Sequence, residues 1–270
     1  SPSCRFYNLD VANAITHFAR YIIQLTAKKI QEIGYEVIYQ DTDSAHTLSN
    51  AKDYDEANKI GKKIEKEIND FYKEFIKKEY KSQSFLELQF ERCYIRFLMP
   101  KLRHSENGAK KRYAGLNSNG KIEIIGLEAI RGDWTELAKK FQIELLEMVF
   151  NKKEFKGYIK KFVNDIKSGK YDELLVYRKS IRKALEEYRL ITPPHVKAAR
   201  KLNNFQGSVI EYLMTEDGPE PIQALKNKVD YKHYIDKQIK PIADSVLNFF
   251  DLNFDELIEG SKQKNLFSYT

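Results

Sequence analysis

The sequence predicts an α+β fold in which an antiparallel sheet with packed helices is followed by a mostly helical region. Two short apolar runs flank an acidic turn at residues 39–44, and a second pair flanks residues 117–120, Asn-Ser-Asn-Gly, which is typical of a hairpin turn. Long segments before and between these pairs carry apolar residues at helical spacing. Strand pairs with helices on one side are typical of α+β domains.

The first half of the chain is predicted to place long helices around the strands. We expect a helix over residues 8–33, capped by Asp10 and ended by Gly34, and a second helix over residues 53–80 after the acidic hairpin. Apolar and polar residues alternate over residues 86–91, which predicts a half-buried strand. Further strands are expected at residues 94–99, 112–116 and 121–127.

Helical spacing prevails after Trp134, and the exposed positions there are rich in lysine. Pro241 lies inside the last helical stretch, residues 231–250, where it predicts a kink or a break. Loops are expected where glycine and proline interrupt the pattern, at residues 192–194, 207 and 218–219. The remaining helices are expected at residues 134–150, 153–168, 176–188 and 195–203.

Composition narrows the class of protein. The chain has 270 residues, of which 42% are hydrophobic and 31% charged, so it can form one large or two modest domains. A net charge of +7 and a pI near 9.0 favour a polyanionic partner. Cys4 and Cys93 have neither metal-binding spacing nor a disulfide framework, which favours a reducing compartment. No apolar run approaches the roughly 20 residues of a membrane span, and no signal peptide is visible.

The acidic turn reads Tyr-Gln-Asp-Thr-Asp-Ser and carries Asp41 and Asp43. At a hairpin tip both carboxylates can face one point, where their mutual repulsion is removed by a divalent cation. Mg²⁺ binds through one or two carboxylates together with water and phosphate, an arrangement that suits two-metal phosphoryl or nucleotidyl transfer. The alternative is an ordinary turn whose Asp and Ser side chains only form hydrogen bonds with the backbone of the turn. A calcium loop is disfavoured because His46 and Lys52 stand where an EF-hand needs Gly and Glu.

Three motifs, in the same order, resemble those of family B DNA polymerases. The acidic turn resembles motif C, Lys111 to Leu116 (Lys-Arg-Tyr-Ala-Gly-Leu) resembles the Lys-x-Tyr motif, and Arg131 to Trp134 resembles the Arg-Arg-Asp-Trp stretch. The resemblance covers essentially the whole chain. It implies that residues 1–133 form the C-terminal half of a polymerase palm, residues 134–258 a mostly helical thumb, and residues 259–270 a tail.

The resemblance also implies a catalytic, metal-binding role for Asp41 and Asp43. The cofactor would be Mg²⁺, with Mn²⁺ as an alternative, and the substrates would be deoxynucleoside triphosphates. Asp43 would be the direct ligand and Asp41 its support. Glu91 is a further candidate metal ligand, although the glutamate that often accompanies it in the family is Gln89 here, and a solvent-facing strand residue is the alternative.

A basic run before the second hairpin offers cations and a hydroxyl, the groups that contact phosphate. In the family, the residues that correspond to Lys111 and Tyr113 contact primer–template DNA near the growing end. An ordinary charged loop is the alternative. At position 132 a glycine replaces the second arginine of the family, so the resemblance implies no DNA contact at that position. The candidate DNA-binding residues are Lys110, Lys111, Arg112, Tyr113 and Arg131.

The C-terminal tail resembles a sliding-clamp-binding peptide. That motif requires Gln, an aliphatic residue three positions later and aromatic residues at its end, while Thr270 departs from the second aromatic. A PCNA-like clamp is therefore an expected partner. The candidate clamp-binding residues are Gln263, Leu266, Phe267 and Tyr269.

The family's motif A aspartate and motif B lysine have no counterpart here, because both precede the run that begins at Ser3. We therefore expect the small catalytic fragment of a split family B polymerase, inactive until it joins a large N-terminal fragment with exonuclease, motif A and fingers. Its other expected partner is primer–template DNA, in the cytoplasm with the nucleoid, or in the nucleus of a eukaryote. The alternative is a non-catalytic duplex-binding accessory subunit with a retained thumb, which the presence of both Asp41 and Asp43 disfavours.

Overall fold

The structure, a computed structural model, describes residues 3–101, 108–189, 192–203 and 205–260. Helices and strands are mixed, and the strands form three small sheets, so the predicted α+β class is confirmed. The chain divides into two compact units: unit 1 comprises Ser1–Phe97 and Gly115–Lys121, and unit 2 comprises Leu98–Ala114 and Ile122–Thr270. Among the described helices, none combines the length and apolar character needed to cross a lipid bilayer.

Unit 1 begins with helix α1, Leu9–Glu32. The side-chain oxygen of Asn8 accepts a hydrogen bond from the amide of Val11 at 3.1 Å, so Asn8 is the N-cap and the prediction of Asp10 is wrong. Gly34 follows the helix in a left-handed conformation, φ +94°, as predicted for a residue that ends it.

The acidic hairpin and a second long helix complete the core of unit 1. Strands β1, Glu36–Asp41, and β2, Ser44–Leu48, pair in antiparallel fashion. Helix α2, Tyr54–Tyr80, starts at Asp53, whose carboxylate caps it. Both helices and the hairpin pack around a cluster of buried side chains, namely Ile30, Ile64, Ile68 and Tyr72.

Residues 85–92 are extended but belong to no sheet, so the strand predicted over residues 86–91 is wrong. The alternation of half-buried and exposed side chains is nevertheless present. The backbone bonds to side chains of α2: Leu88 exchanges two hydrogen bonds with the amide of Asn69, and the amide of Phe90 donates to Glu65 at 2.7 Å. Helix side chains therefore take the place of a neighbouring strand.

A second sheet follows this extended segment, in the order β3-β4-β5. Its strands are Arg96–Leu98, Tyr113–Leu116 and Ile122–Ile125. The predicted turn joins β4 to β5, with the amide of Gly120 donating to the carbonyl of Asn117 at 3.1 Å. The hairpin predicted from these residues is therefore confirmed.

Unit 2 contains two helices close to their predicted positions. Helix α3, Glu136–Phe150, starts at Thr135, whose hydroxyl accepts from the amide of Ala138, and helix α4 spans Lys156–Lys167. They pack through aromatic rings, with Phe141 and Phe162 centred 5.0 Å apart.

Unit 2 also contains a three-stranded antiparallel sheet that the sequence did not predict. The helix expected over residues 176–188 is wrong, because strand β6, Tyr177–Ser180, occupies this stretch. It pairs with β7, Val209–Thr215, which pairs with β8, Gly218–Pro221. Tyr177 lies opposite Tyr212, and their rings stack at 5.2 Å. Helix α5, Pro194–Arg200, packs its alanines on this sheet.

Pro241 was predicted to kink or break the last helical stretch, and the helix changes its form just before this residue. Helix α6, Tyr231–Tyr234, continues into a π-helical turn, Ile235–Ile239, and then into helix α7, Lys240–Leu247. Proline has no amide to donate and its ring crowds the preceding turn, so a wider turn in front of it relieves the conflict. The last described helix is α8, Phe254–Glu259.

Candidate functional site

The acidic hairpin of unit 1 holds its two aspartates at a tight two-residue turn. Asp41 is the last residue of β1 and lies opposite Ser44 in the ladder, so only Thr42 and Asp43 form the turn. Thr42 adopts the left-handed conformation, φ +52°. The carbonyl of Asp41 accepts the amide of Asp43 at 2.6 Å and the hydroxyl of Ser44 at 3.2 Å. These bonds fix the backbone between the two carboxylates.

The hairpin offers a donor set of two carboxylates. Asp41 is half-buried and Asp43 is exposed, so the turn is open to a phosphate-bearing ligand. Within the described ranges no group of three or more His, Cys, Asp or Glu side chains could hold a metal ion. Two carboxylates fit Mg²⁺, a hard ion that takes its remaining ligands from water and substrate phosphate.

Glu91 lies in the extended segment of unit 1, and its side chain is 78% exposed. Its carboxylate is 3.5 Å from the guanidinium of Arg92. Glu91 also acts electrostatically on His46 of β2: burial lowers the pKa of this histidine, and the negative charge of Glu91 opposes that shift. The ring of His46 lies 5.4 Å from that of Tyr39 on β1. The hairpin that carries the aspartates therefore lies within electrostatic reach of Glu91.

The basic run of unit 2 forms a tight turn before β4. Lys110 and Lys111 are exposed, and Lys111 adopts a left-handed conformation, φ +57°. Gly126, φ +63°, lies so close that a Cβ atom there would overlap the carbonyl oxygen of Lys111. Only glycine permits this approach. Tyr113, half-buried, begins β4.

The side chain of Arg112 is partly buried, at 35% exposed, and has a partner within unit 2. Its guanidinium forms an ion pair with Glu128, whose side chain is only 9% exposed. The other oxygen of Glu128 accepts from the side-chain amide of Gln142 in α3 at 2.7 Å, and Gln142 in turn accepts from the amide of Ala129 at 2.6 Å. The basic turn is thus tied to α3 through one buried carboxylate.

Sequence reasoning did not identify Glu128 or Gln142. A signal for Glu128 was present, because it is the single acidic residue in the otherwise apolar run from Ile124 to Ile130. An isolated acid in such a run indicates a buried carboxylate that needs a cationic partner.

Arg131 forms a two-pronged ion pair with Asp133, with N–O distances of 2.9 and 2.7 Å. This contact raises the pKa of Arg131 and lowers that of Asp133. The guanidinium is 46% exposed, so its outer edge remains accessible to solvent. The clamp-binding candidates Gln263, Leu266, Phe267 and Tyr269 lie outside the residues that the structure describes.

Comparison with known proteins agrees with this combination of motifs. DNA polymerase II of Escherichia coli K12 is 38% identical over 275 residues, which is 96% of this chain and 35% of that protein. DNA polymerase 2 of Aeropyrum pernix is 31% identical, over 99% of this chain and 32% of that protein. The solved family B DNA polymerase of Pyrobaculum calidifontis has a TM-score of 0.61 and 28% identity, over 90% of this chain and 30% of that chain.

The chain therefore spans about a third of the length of these relatives. The sequence model of DNA polymerase family B matches residues 2–249, which is most of the chain. This chain belongs to DNA polymerase family B.

Proposed function

We propose that this chain supplies the metal-binding half of a polymerase palm, followed by a thumb, and adds deoxynucleotides to a primer once it is joined by the large polymerase fragment. The observation that carries the proposal is the hairpin turn that holds Asp41 and Asp43 two residues apart with a fixed backbone. Two carboxylates beside an open turn suit the binding of Mg²⁺ with a nucleoside triphosphate.

The chemistry divides between the ion and the chain. When bound, Mg²⁺ stabilises negative charge on the transferring phosphate and on the attacking and leaving oxygens. The exposed carboxylate of Asp43 would bind the ion directly. Asp41, half-buried at the end of β1 where this strand pairs with β2, would support that binding. The hydrogen bonds to the Asp41 carbonyl hold the turn, so the carboxylates need little reorganisation when substrate arrives.

Primer–template DNA is the proposed second ligand. Lys110 and Lys111 are exposed on a turn whose backbone is held by Gly126 and by the Arg112–Glu128 ion pair. Fixed cations of this kind position a duplex through its backbone without reading its sequence. Arg112 contributes by bracing the turn, since its guanidinium is already paired with Glu128.

The first half of α1 supports a large partner for unit 1. Every described residue up to Tyr21 is exposed, including Val11 at 53% and Ile15 at 64%. Val11, Ile15 and Phe18 follow helical spacing and form one apolar stripe, which continues into Ile22 at the core. An exposed stripe of this kind is typical of a protein–protein contact. We assign it to the large fragment, which would also bring the motif A carboxylate, and we assign the C-terminal tail to a sliding clamp.

Primer extension tests the proposal. The chain is mixed with a large fragment from a family B polymerase, Mg²⁺, primer–template DNA and deoxynucleotides. Asp43→Ala should abolish incorporation while leaving DNA binding intact, and Asp41→Ala should be less severe. Asp70→Ala, which removes an exposed acid on α2, is the matched control and should extend like the wild type.

Two results would refute the assignment. Incorporation at the wild-type rate by Asp43→Ala would exclude this carboxylate from catalysis. An assembled complex that binds duplex DNA but never extends a primer would favour the non-catalytic accessory subunit instead.

A further inference from the structure

Helix α4 carries a row of lysines along its solvent side. Lys156, Lys160 and Lys167 fall within an arc of about 40° on a helix of 3.6 residues per turn, and all three are exposed. The buried face of the same helix consists of apolar residues that pack in unit 2, so the row has no role in the core. The buried residues are Ile159, Phe162, Val163 and Ile166.

The acidic residues around α4 do not neutralise this row. Glu154 accepts hydrogen bonds from the amides of Lys156 and Gly157, so it caps the backbone at the start of the helix. Asp165 forms its ion pair with Lys170, at 2.7 Å. In the part of the chain that the structure describes, no carboxylate lies within 4.0 Å of the ammonium group of any lysine in the row.

Helix α2 shows the contrasting arrangement. It contains seven lysines and seven acidic residues, so its charge balances. Four of its lysines pair with acids one helical turn away, as in Lys63 with Glu67 and Lys66 with Asp70. A helix face of this kind is neutral on average, so solvation by water suffices and no external anion is required. In α4 the like charges at positions 156 and 160 repel each other, and an external polyanion would relieve that repulsion.

We propose that the α4 lysine row binds the sugar–phosphate backbone of duplex DNA, as a surface additional to the basic turn at Lys110 and Lys111. The row spans about 16 Å at 1.5 Å per residue, which faces several phosphates of B-form DNA. Lysine ammonium groups bind phosphate as point charges and require no fixed geometry, which suits a contact that is independent of base sequence. This inference rests on the proposal that the chain binds primer–template DNA.

The test compares two triple variants of the full chain in binding to duplex DNA of mixed sequence. The first replaces the row, with Lys156→Gln, Lys160→Gln and Lys167→Gln together. The second is the charge-matched control on α2, with Lys63→Gln, Lys66→Gln and Lys73→Gln together, each of which pairs with an acid of its own helix. Fluorescence anisotropy over a range of salt concentrations gives the affinity and its salt dependence, and circular dichroism checks that both variants are folded.

The row variant should make the negative slope of log affinity against log salt shallower by about 2 to 3, because each lost phosphate contact contributes roughly 0.9 to its magnitude. The α2 control should change that slope by less than about 1. Equal slopes in wild type and row variant, or equal losses in both triple variants, would overturn the inference. Absence of DNA binding by the wild-type chain would instead refute the proposed DNA-binding function itself.

Discussion

The side-chain amide of Asn69 bonds both backbone groups of Leu88, and so stands in for a neighbouring strand. Its Oδ1 accepts the amide of Leu88 and its Nδ2 donates to the carbonyl of Leu88, each at 2.8 Å. Glu65, one turn earlier on α2, accepts the amide of Phe90. One face of α2 is therefore shaped to hold an extended segment that pairs with no strand among the described residues of unit 1.

Replacing Asn69 with alanine should lower the free energy of unfolding by about 2 kcal/mol, because two half-buried backbone groups lose their partner. Urea denaturation measures the loss. The control is Asn58→Ala on the same helix, whose amide donates only to the carbonyl of Tyr54 in the preceding turn. That variant should lose less than about 0.5 kcal/mol. Equal losses would mean that the bonds to Leu88 contribute nothing.

Local rules explain which parts of the fold the sequence predicted. The C-terminal end of α1 and the turns of the two hairpins depend on a few adjacent residues, such as Gly34, so they were visible in the sequence. The sheet of unit 2 was not, because Tyr177 pairs with Tyr212, far along the chain, while its neighbours also satisfy a helical pattern. Periodicity indicates which side of a segment is buried, but it does not say which element the backbone of that segment bonds to. Residues 86–91 were therefore mistaken for a strand, although their backbone bonds to side chains of α2.

The candidate site follows the same division. Asp41 and Asp43 stand in one short motif, so the sequence alone identifies them. The pairing of Arg112 with Glu128 joins residues 16 positions apart on different elements, so it could not be read from the motif that contains Arg112. The consequence is that the guanidinium that the sequence offered as a DNA contact is partly buried and paired with Glu128.

Removing Arg112 should therefore damage stability more than DNA binding. Arg112→Ala leaves the carboxylate of Glu128 buried without its cation, which should cost about 3 kcal/mol of unfolding free energy. Lys110→Ala removes an exposed cation and should cost less than about 0.5 kcal/mol. Duplex binding should be weakened more by Lys110→Ala than by Arg112→Ala. Only Lys110→Ala should reduce the magnitude of the slope of log affinity against log salt, by about 1. A stable Arg112→Ala variant with reduced salt dependence would make Arg112 a DNA contact after all.

Gly126 should be intolerant of any side chain. Gly126→Ala adds a Cβ atom at positive φ and drives it into the carbonyl of Lys111, so the basic turn must move. We expect a loss of about 2–5 kcal/mol from backbone strain and overlap together, and weaker duplex binding. Gly120→Ala, also at positive φ but with nothing within 4 Å, isolates the strain and should cost about 1–2 kcal/mol. Denaturation curves that coincide for the two variants would show that the overlap has no cost.

Glu220 of β8 should make the stability of unit 2 depend on acidic pH. The residue is 2% exposed, and its carboxylate accepts hydrogen bonds from the amides of Lys226 and Asn227, at 2.8 and 3.1 Å. The side chains of Asn227 and Lys201 donate to its other oxygen. These bonds favour the charged form and lower the pKa of Glu220 from 4.5 to about 2.

The sign of the effect follows from linkage. Because the folded pKa lies below the unfolded one, the stabilisation is complete above about pH 4.5 and is lost as the pH falls towards 2. Glu220→Gln should therefore be less stable than wild type at pH 7, and the difference should shrink steadily between pH 5 and pH 2. Glu216→Gln, at an exposed position in the turn between β7 and β8, should change stability little at either pH. Urea midpoints across this pH range measure the stability of both variants. If the stability difference between wild type and Glu220→Gln stays constant from pH 7 to pH 2, the charge on Glu220 does not stabilise the loop at Lys226 and Asn227.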